Sequence, residues 1–400
     1  MLNAKHSYLS ASFAVLALGL PGLASAKTPP DVLKAYKAYN TSMEKGDFKS
    51  AIKHAKTAWE KAEKELGDHE MTGDLAYNYG YVEKNQGEKG KSIEALERSV
   101  ELAALKSSDA ASFQIEREVE LVSSMDGVSK DKSTAKRIDK AVKFAAANGL
   151  ASSIYVGELY VHETNICSRR LNRKIQAGQS QAGTKINRAS DEDGIRDGHK
   201  KCARIAKKAV EIFDANASDT RPLYVAIANN YVGYGFETSN NYLGAALSYQ
   251  KSREAIEELY GRDTPFVAET IGRWMNARNY LERTDKLDNA EAQGLCKCWP
   301  FTSDRKHVKV SKWADADFPG KALTNGTSGY AIVQMDVSDE GVPENVRILN
   351  SWPEDLYDKS SLKAANQLEF VPKTGDEPEG FRKDVMIPYN YYLRSGLDPI

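Results

Sequence analysis

The chain has 400 residues, 55 basic against 56 acidic side chains, a formal net charge of −1, 13 prolines and four cysteines. Its length is that of more than one domain, since about 100–200 residues per domain is usual. The charge balance excludes a general nucleic-acid binder, which needs a basic excess to neutralise phosphates.

Lys5 and His6 precede an apolar run from Ala11 to Leu20, Pro21-Gly22 break any helix, and Ala24-Ser25-Ala26 put small residues where a signal peptidase reads. Residues 1–26 therefore read as a secretory signal peptide cleaved before Lys27, which implies the periplasm. The alternative is an uncleaved inner-membrane anchor, but the run falls short of the about 20 apolar residues of a span. No later stretch is long or apolar enough to cross a bilayer, so no transmembrane span is expected after cleavage.

Residues 27–290 read as helix after helix. Ile93, Leu96, Val100, Ala103 and Ala104 recur at helical spacing, with Glu94, Glu97, Arg98 and Glu101 between them as a solvated face. Ile205, Ala206, Val210 and Phe213 repeat the pattern. A longer repeat is also visible. Gly46-Asp47-Phe48 precedes Ala51-Ile52, Ala55 and Ala58; Gly87 precedes Ser92-Ile93, Leu96 and Ser99; a third copy runs through Asn241-Tyr242, Ala245-Ala246, Tyr249 and Ser252. This resembles the tetratricopeptide repeat, with a turn followed by small residues where two helices approach closely. The resemblance implies a solenoid whose groove takes an extended peptide, lined by Tyr36, Asn40, Tyr77, Tyr81, Asn230 and Tyr234. The other reading of these tyrosines is half-buried packing. Gly178, Gly183, Gly194 and Gly198, set among Gln, Ser, Asn and Asp, predict a long polar surface loop over about 176–199.

Cys167, Cys202, Cys296 and Cys298 suggest disulfides in an exported chain. Of three pairings, Cys167 with Cys202 is preferred, which leaves Cys296 and Cys298 either bridged in a tight ring or reduced. His199-x-x-Cys202 has ligand-like spacing for zinc. His162 and Cys167, however, fall about 140° apart on a helix, and an oxidising compartment favours a bridge. No metal and no cofactor are expected. There is no Gly-x-Ser-x-Gly elbow, no His-Glu-x-x-His and no phosphate-binding loop with lysine; Gly326-Thr327-Ser328-Gly329 reads as a turn. The chain is not expected to be an enzyme.

A linker over 291–310 leads to residues 311–396, where the periodicity changes. Gly329 to Val337 reads as a strand, Asp339-Glu340-Gly341 as a turn and Val342 to Leu349 as a second strand. Lys359 to Leu368 reads as a helix with Asp358 as its N-cap, and Asp384 to Leu393 as a third strand, with Val385, Ile387, Tyr389, Tyr391 and Leu393 facing one way. The order β-β-α-β makes a small sheet covered on one face by a helix.

These landmarks resemble the TonB C-terminal domain family. They are Phe318-Pro319 with Ala322, Gly329, Gly341-Val342, Ser351-x-Pro353 with Leu356-Tyr357-Asp358, Ala364, Phe370-x-Pro372, and Val385-x-Ile387-Pro388-x-x-Tyr391-x-Leu393. Glu369 stands near a place the family often fills with tryptophan. The predicted fold class is thus multidomain α plus α+β: a tetratricopeptide-like α-helical repeat solenoid, then a small TonB-like β-β-α-β domain.

The family resemblance implies protein recognition, in which an extended segment of a TonB-dependent outer-membrane receptor adds as a strand to the sheet edge. The partner-binding edge is expected at Val385, Met386, Ile387, Tyr389 and Tyr391, because Pro388 lacks an N–H and favours an edge strand. The alternative is an edge that self-associates or is covered. Energy transducers of the family carry an anchor and a Pro-rich spacer; here the leader reads as removable and the prolines are scattered. A periplasmic adapter in TonB-dependent transport fits better than a motor component. The competing function is a scaffold for envelope assembly whose TonB-like domain only forms a homodimer.

Overall fold

The computed structural model describes residues 28–106, 109–180, 188–218, 221–260, 265–296, 308–325, 329–375 and 377–391. The expected leader at 1–26, the turn residues 326–328, Cys298 and Leu393 lie outside the described residues. The helices run α1 (Pro30–Glu44), α2 (Phe48–Leu66), α3 (Glu70–Asn85), α4 (Lys89–Leu102), α5 (Ala110–Met125), α6 (Asp131–Ala147), α7 (Ile154–Ser180), α8 (Arg188–Ala215), α9 (Pro222–Glu237), α10 (Tyr242–Tyr260), α11 (Pro265–Arg283) and α12 (Leu287–Ala292). They are followed by β1 (Val310–Lys312), α13 (Gly320–Asn325), β2 (Gly329–Val337), β3 (Pro343–Trp352), α14 (Asp358–Ala365), β4 (Glu369–Phe370) and β5 (Val385–Tyr391). The architecture is helical, with a small antiparallel sheet toward the C-terminal end. No helix among the described residues is long and apolar enough to cross a membrane.

Backbone contacts divide the chain into two compact units. One comprises residues up to Cys167 with Lys208–Thr220; the other comprises Ser168–Lys207 and Arg221 onward.

In the first unit, successive helices pair as hairpins, and the repeated sequence marks where. Gly46 turns the chain with φ +68°, and the Asp47 carboxylate caps α2 by accepting from the Ser50 N–H at 3.1 Å. Ala51, Ala55, Ala58 and Ala62 then line the buried side of α2, packed with Val32, Tyr36 and Tyr39 of α1. Small side chains here let the two axes approach. In the next hairpin the small residue sits on the other helix: a Cβ on Gly80 of α3 would come within 2.6 Å of Leu96 Cγ on α4.

The second unit repeats this device. Gly233 of α9 lies under the Tyr249 ring of α10, where a Cβ would come within 2.7 Å of it. The loop expected at 176–199 is corrected: α7 continues to Ser180 and α8 starts at Arg188, so helix occupies most of that stretch. At Gly198 the physical reason is clear. It serves close approach, since a Cβ there would meet Leu171 Cδ1 at 2.5 Å. Glycine marks contact here, not a turn.

The sheet of the second unit has the order β3-β2-β5, all antiparallel, with β1 and β4 forming a separate antiparallel pair. This adds β1, β4 and α13 to the expected β-β-α-β order. Alternation sends Ala331, Val333, Met335 and Val337 of β2, with Val385, Ile387, Tyr389 and Tyr391 of β5, into one core shared with Ala364 and Ala365 of α14. The intervening residues Tyr330, Ile332 and Met386 enter a different core, with Trp274, Ala277 and Leu281 of α11. The sheet is therefore covered on both faces, not on one as its element order suggested. A strand that reads Tyr-Ala-Ile-Val is apolar on both sides and needs two covers. Asp358 is the first residue of α14 and Tyr357 occupies the N-cap without a side-chain cap, which corrects the expected role of Asp358.

Candidate functional site

The landmark residues of the C-terminal segment converge. Phe318 meets the rings of Tyr357 and Tyr391 edge-on, at centroid distances of 6.1 and 5.6 Å, and Tyr357 stacks on Tyr391 at 4.1 Å. Tyr391 Oη and Ser361 Oγ share a hydrogen bond of 2.7 Å. Burial pushes the Tyr357 phenol up to about 12, with Tyr391 adding to it, so both rings act as neutral packing groups. This cluster fastens α14 and the segment before α13 to the end of β5. Gly341, at φ +90°, accepts from the Phe370 N–H at 2.8 Å and ties the β2–β3 turn to β4. Arg382 stitches the same region: it is paired to Glu377 through two N–H···O contacts of 2.6 and 2.7 Å, and donates to the carbonyls of Ser338 and Val371. Glu369 is exposed and pairs with Lys312 across β1–β4 at 2.6 Å.

The two border strands differ. On β5, Val385, Met386, Ile387, Tyr389 and Tyr391 are all buried. Pro388 has no N–H to offer, and its carbonyl accepts from Asn279 Nδ2 of α11 at 3.3 Å. At Pro388 the chain's own helix thus occupies one acceptor of this border strand. On β3 the register with β2 shifts twice, between Ile332 and Val333 and between Gln334 and Asp336, and Asn345 takes a left-handed φ of +51°. Val342 and Leu349 beside and on this strand are exposed. Bulges of this kind protect an open edge from indiscriminate pairing.

The residues expected to line a helical groove are distributed over both units. Tyr36, Asn40, Tyr77 and Tyr81 belong to the first; Asn230 and Tyr234 belong to the second. Tyr36 is buried beside Tyr39, at a centroid distance of 6.0 Å, and serves packing. Tyr77 and Tyr81 stack at 5.9 Å, with Arg117 over the first ring and Lys84 over the second. Burial, with Glu120 and Glu116 of α5 nearby, raises the Tyr77 phenol well above its ordinary value. In the second unit Asn230 donates to Thr270 Oγ1 at 2.9 Å.

Tyr234 sits in a polar cluster that sequence reasoning did not find. The His199 ring meets it edge-on at 4.6 Å, and the Arg273 guanidinium lies over it at 4.7 Å. Arg273 also pairs with Glu269 at 3.0 Å and approaches buried Glu237 at 3.5 Å, while Tyr249 Oη donates to Glu237 at 2.7 Å. Burial and the nearby Arg273 push the His199 imidazole down to about 4. The members come from α8, α9, α10 and α11, so no local spacing signals them. Asn279 was missed for the same reason, lying 109 residues from Pro388.

Cys167, Cys202 and Cys296 are disulfide-bonded. His162 Nδ1 is 3.0 Å from the Asp126 carboxylate. Among the described residues no group of three or more His, Cys, Asp or Glu is placed to hold a metal ion.

Residues 315–393 match the Gram-negative bacterial TonB protein C-terminal family. This segment is accordingly similar to the TonB-type C-terminal domain, which supports a protein-interaction role. No curated protein matches the chain. Among solved structures, the crystal structure of BtubC (BKLC) from P. vanneervenii is similar at 12% identity and a TM-score of 0.40, covering 72% of this chain and 98% of that one. A likeness of that degree carries no weight for function.

Proposed function

We propose that this protein is a periplasmic, non-enzymatic adapter in TonB-dependent outer-membrane transport. Its C-terminal sheet receives an extended segment of a receptor or transport component by strand addition at β5. Its helices, read as degenerate tetratricopeptide-type repeats, meet a second protein. The observation that carries this reading is the family match over 315–393, joined by the convergence of Phe318, Tyr357 and Tyr391 on the end of β5. The energetics suit a reversible contact, since each new backbone hydrogen bond adds roughly 0.5–1.5 kcal/mol net, and four to six of them make useful affinity. Export by the leader over 1–26 belongs to the same reading. In the helical part the proposed contacts are Asn40, Tyr77 and Tyr81, which are half-buried.

The test keeps the whole chain and changes one backbone donor. In a strand, residues two apart expose their N–H on the same side, so Asn390→Pro deletes a donor on the side where Pro388 already lacks one and leaves the β2 ladder whole. Receptors captured from envelope extracts are identified by mass spectrometry. Capture by the native chain, lost in Asn390→Pro with an unchanged circular dichroism spectrum, is the expected outcome. Equal capture by both rules out strand addition at β5.

One observation favours the second reading, a scaffold whose TonB-like domain dimerises. The β3 border is exposed, with Val342 and Leu349 beside and on it. Sedimentation equilibrium distinguishes it: a dimer abolished by Val346→Pro in β3 and untouched by Asn390→Pro supports scaffold assembly.

A further inference from the structure

We infer that Asn279 is a resident stand-in for the guest strand, so that a partner engages β5 only by displacing α11 locally. This inference rests on the strand-addition reading and adds a regulatory contact to it. The N–H and C=O of one strand residue point to the same side. A proline at position 388 costs the ladder nothing only where that side faces away from β2. Its carbonyl is therefore an acceptor on the rim that a guest strand would use. Asn279 Nδ2 already donates to it, while Asn279 Oδ1 is buried and has no hydrogen-bond partner among the described residues. A carboxamide carries a donor and an acceptor side by side, as a peptide unit does. Here the donor half is engaged with β5, as a guest's N–H would be, and the acceptor half is left over. Buried acceptors without a partner are uncommon, and this one lies beside the border where backbone donors would arrive.

The hold is firm enough to occlude and weak enough to yield. α11 is kept against the sheet by Trp274, Ala277 and Leu281 packing with Tyr330, Ile332 and Met386. The amide contact itself, at 3.3 Å, is at the long end for an N–H···O bond. A guest must bring its own N–H to Pro388 and push the Asn279 side chain aside. Its apparent affinity is then lowered by the fraction of molecules in which the amide is in place.

The experiment uses the full chain and a fluorescein-labelled ten-residue peptide from an extended segment of a TonB-dependent receptor. Affinity is measured by anisotropy for the native chain and Asn279→Ala, and deuterium uptake is followed on the native chain with and without peptide. The expected result is at least fivefold tighter binding to Asn279→Ala. In the native chain, bound peptide should raise uptake in residues 265–283 and lower it in 385–391. The uptake arm needs no substitution, so it decides the matter even where alanine loosens the packing. Equal affinity with α11 unchanged or protected on binding overturns the stand-in and leaves strand addition standing. Peptide that binds neither form overturns both.

Discussion

Gly341 and Phe370 are joined backbone to backbone: the Phe370 N–H donates to the Gly341 carbonyl at 2.8 Å, and a Cβ on Gly341 would overlap the Phe370 carbonyl oxygen. The same glycine holds φ +90°, a conformation that side chains rarely adopt. Two independent costs therefore fall on any substitution, and the second cannot be relieved by rotating a side chain. Gly341→Ala should lower stability by roughly 3 kcal/mol or more. Gly46→Ala supplies the comparison, since Gly46 has φ +68° with open space where a Cβ would go, and should cost about 1 kcal/mol. Urea unfolding of the two variants checks this. Similar losses at both positions would show that the contact with Phe370 is dispensable.

In the first unit, Asp74 is held between two cations. Its carboxylate pairs with the Arg117 guanidinium and, at 2.7 Å, with Lys106. Arg117 is nearly inaccessible and spends another N–H on the Ser99 carbonyl at 3.0 Å. Removing the carboxylate leaves a buried guanidinium without its counter-charge, which costs about 3–5 kcal/mol in comparable pairs. Asp74→Ala should be destabilising on that scale, and adding Arg117→Met should recover a large part of the loss. A double-mutant cycle by chemical denaturation measures the coupling. Additive losses would place the importance of Asp74 elsewhere.

The stacked tyrosines of α3 have unequal roles. Both rings are half-buried, but Tyr77 lies beneath Arg117, so its truncation opens a hole beside the Asp74 pair, whereas Tyr81 has only Lys84 over its ring. Tyr77→Ala should lower the melting temperature, with a loss of about 3 kcal/mol as for other large aromatic truncations. Tyr81→Ala should cost about 1 kcal/mol, the scale of a cation–π contact and partial burial. Capture of a protein partner that disappears in Tyr81→Ala at native stability would support the helical groove. Capture that follows stability alone would make both rings packing groups.

Some parts of this structure are legible residue by residue and others are not, for physical reasons. The strands β2, β3 and β5 and the helix α14 were legible because each is marked by local period, by Gly341 at a turn or by Pro388 at a border. The turns at Gly46 and Gly87 and the small residues after them located hairpins, since close helix approach leaves a trace at fixed spacing. Gly198 misled because a glycine against Leu171 and a glycine in a loop look alike in one dimension. The second cover of the sheet was signalled by Tyr330-Ala331-Ile332-Val333, an apolar run too continuous for a one-sided strand. What covers it was not legible. The partner of Pro388 lies 109 residues away, and the cluster around Tyr234 draws on four helices; no periodicity connects them.

That cluster makes the second unit sensitive to acid in a definite window. His199 lies against Tyr234, and burial together with the nearby guanidinium of Arg273 pushes its imidazole down to about 4. An unfolded histidine titrates near 6.5, so between those values the unfolded chain binds a proton that the folded chain refuses. Stability is complete above about 6.5, falls as pH drops, and stops falling through this group near 4. Each tenfold difference in proton affinity between the two states is worth about 1.4 kcal/mol, which sets the loss at about 2 kcal/mol by pH 4.5. Carboxylates titrate in the same range, so the native chain alone does not isolate the effect. His199→Phe keeps a ring edge against Tyr234 and removes the titrating nitrogen. Urea unfolding at pH 7 and 4.5 should show the native chain losing about 2 kcal/mol more than His199→Phe across that interval. Equal losses in the two proteins would mean that His199 takes up its proton in the folded state, with Arg273 and Glu237 rearranged around it.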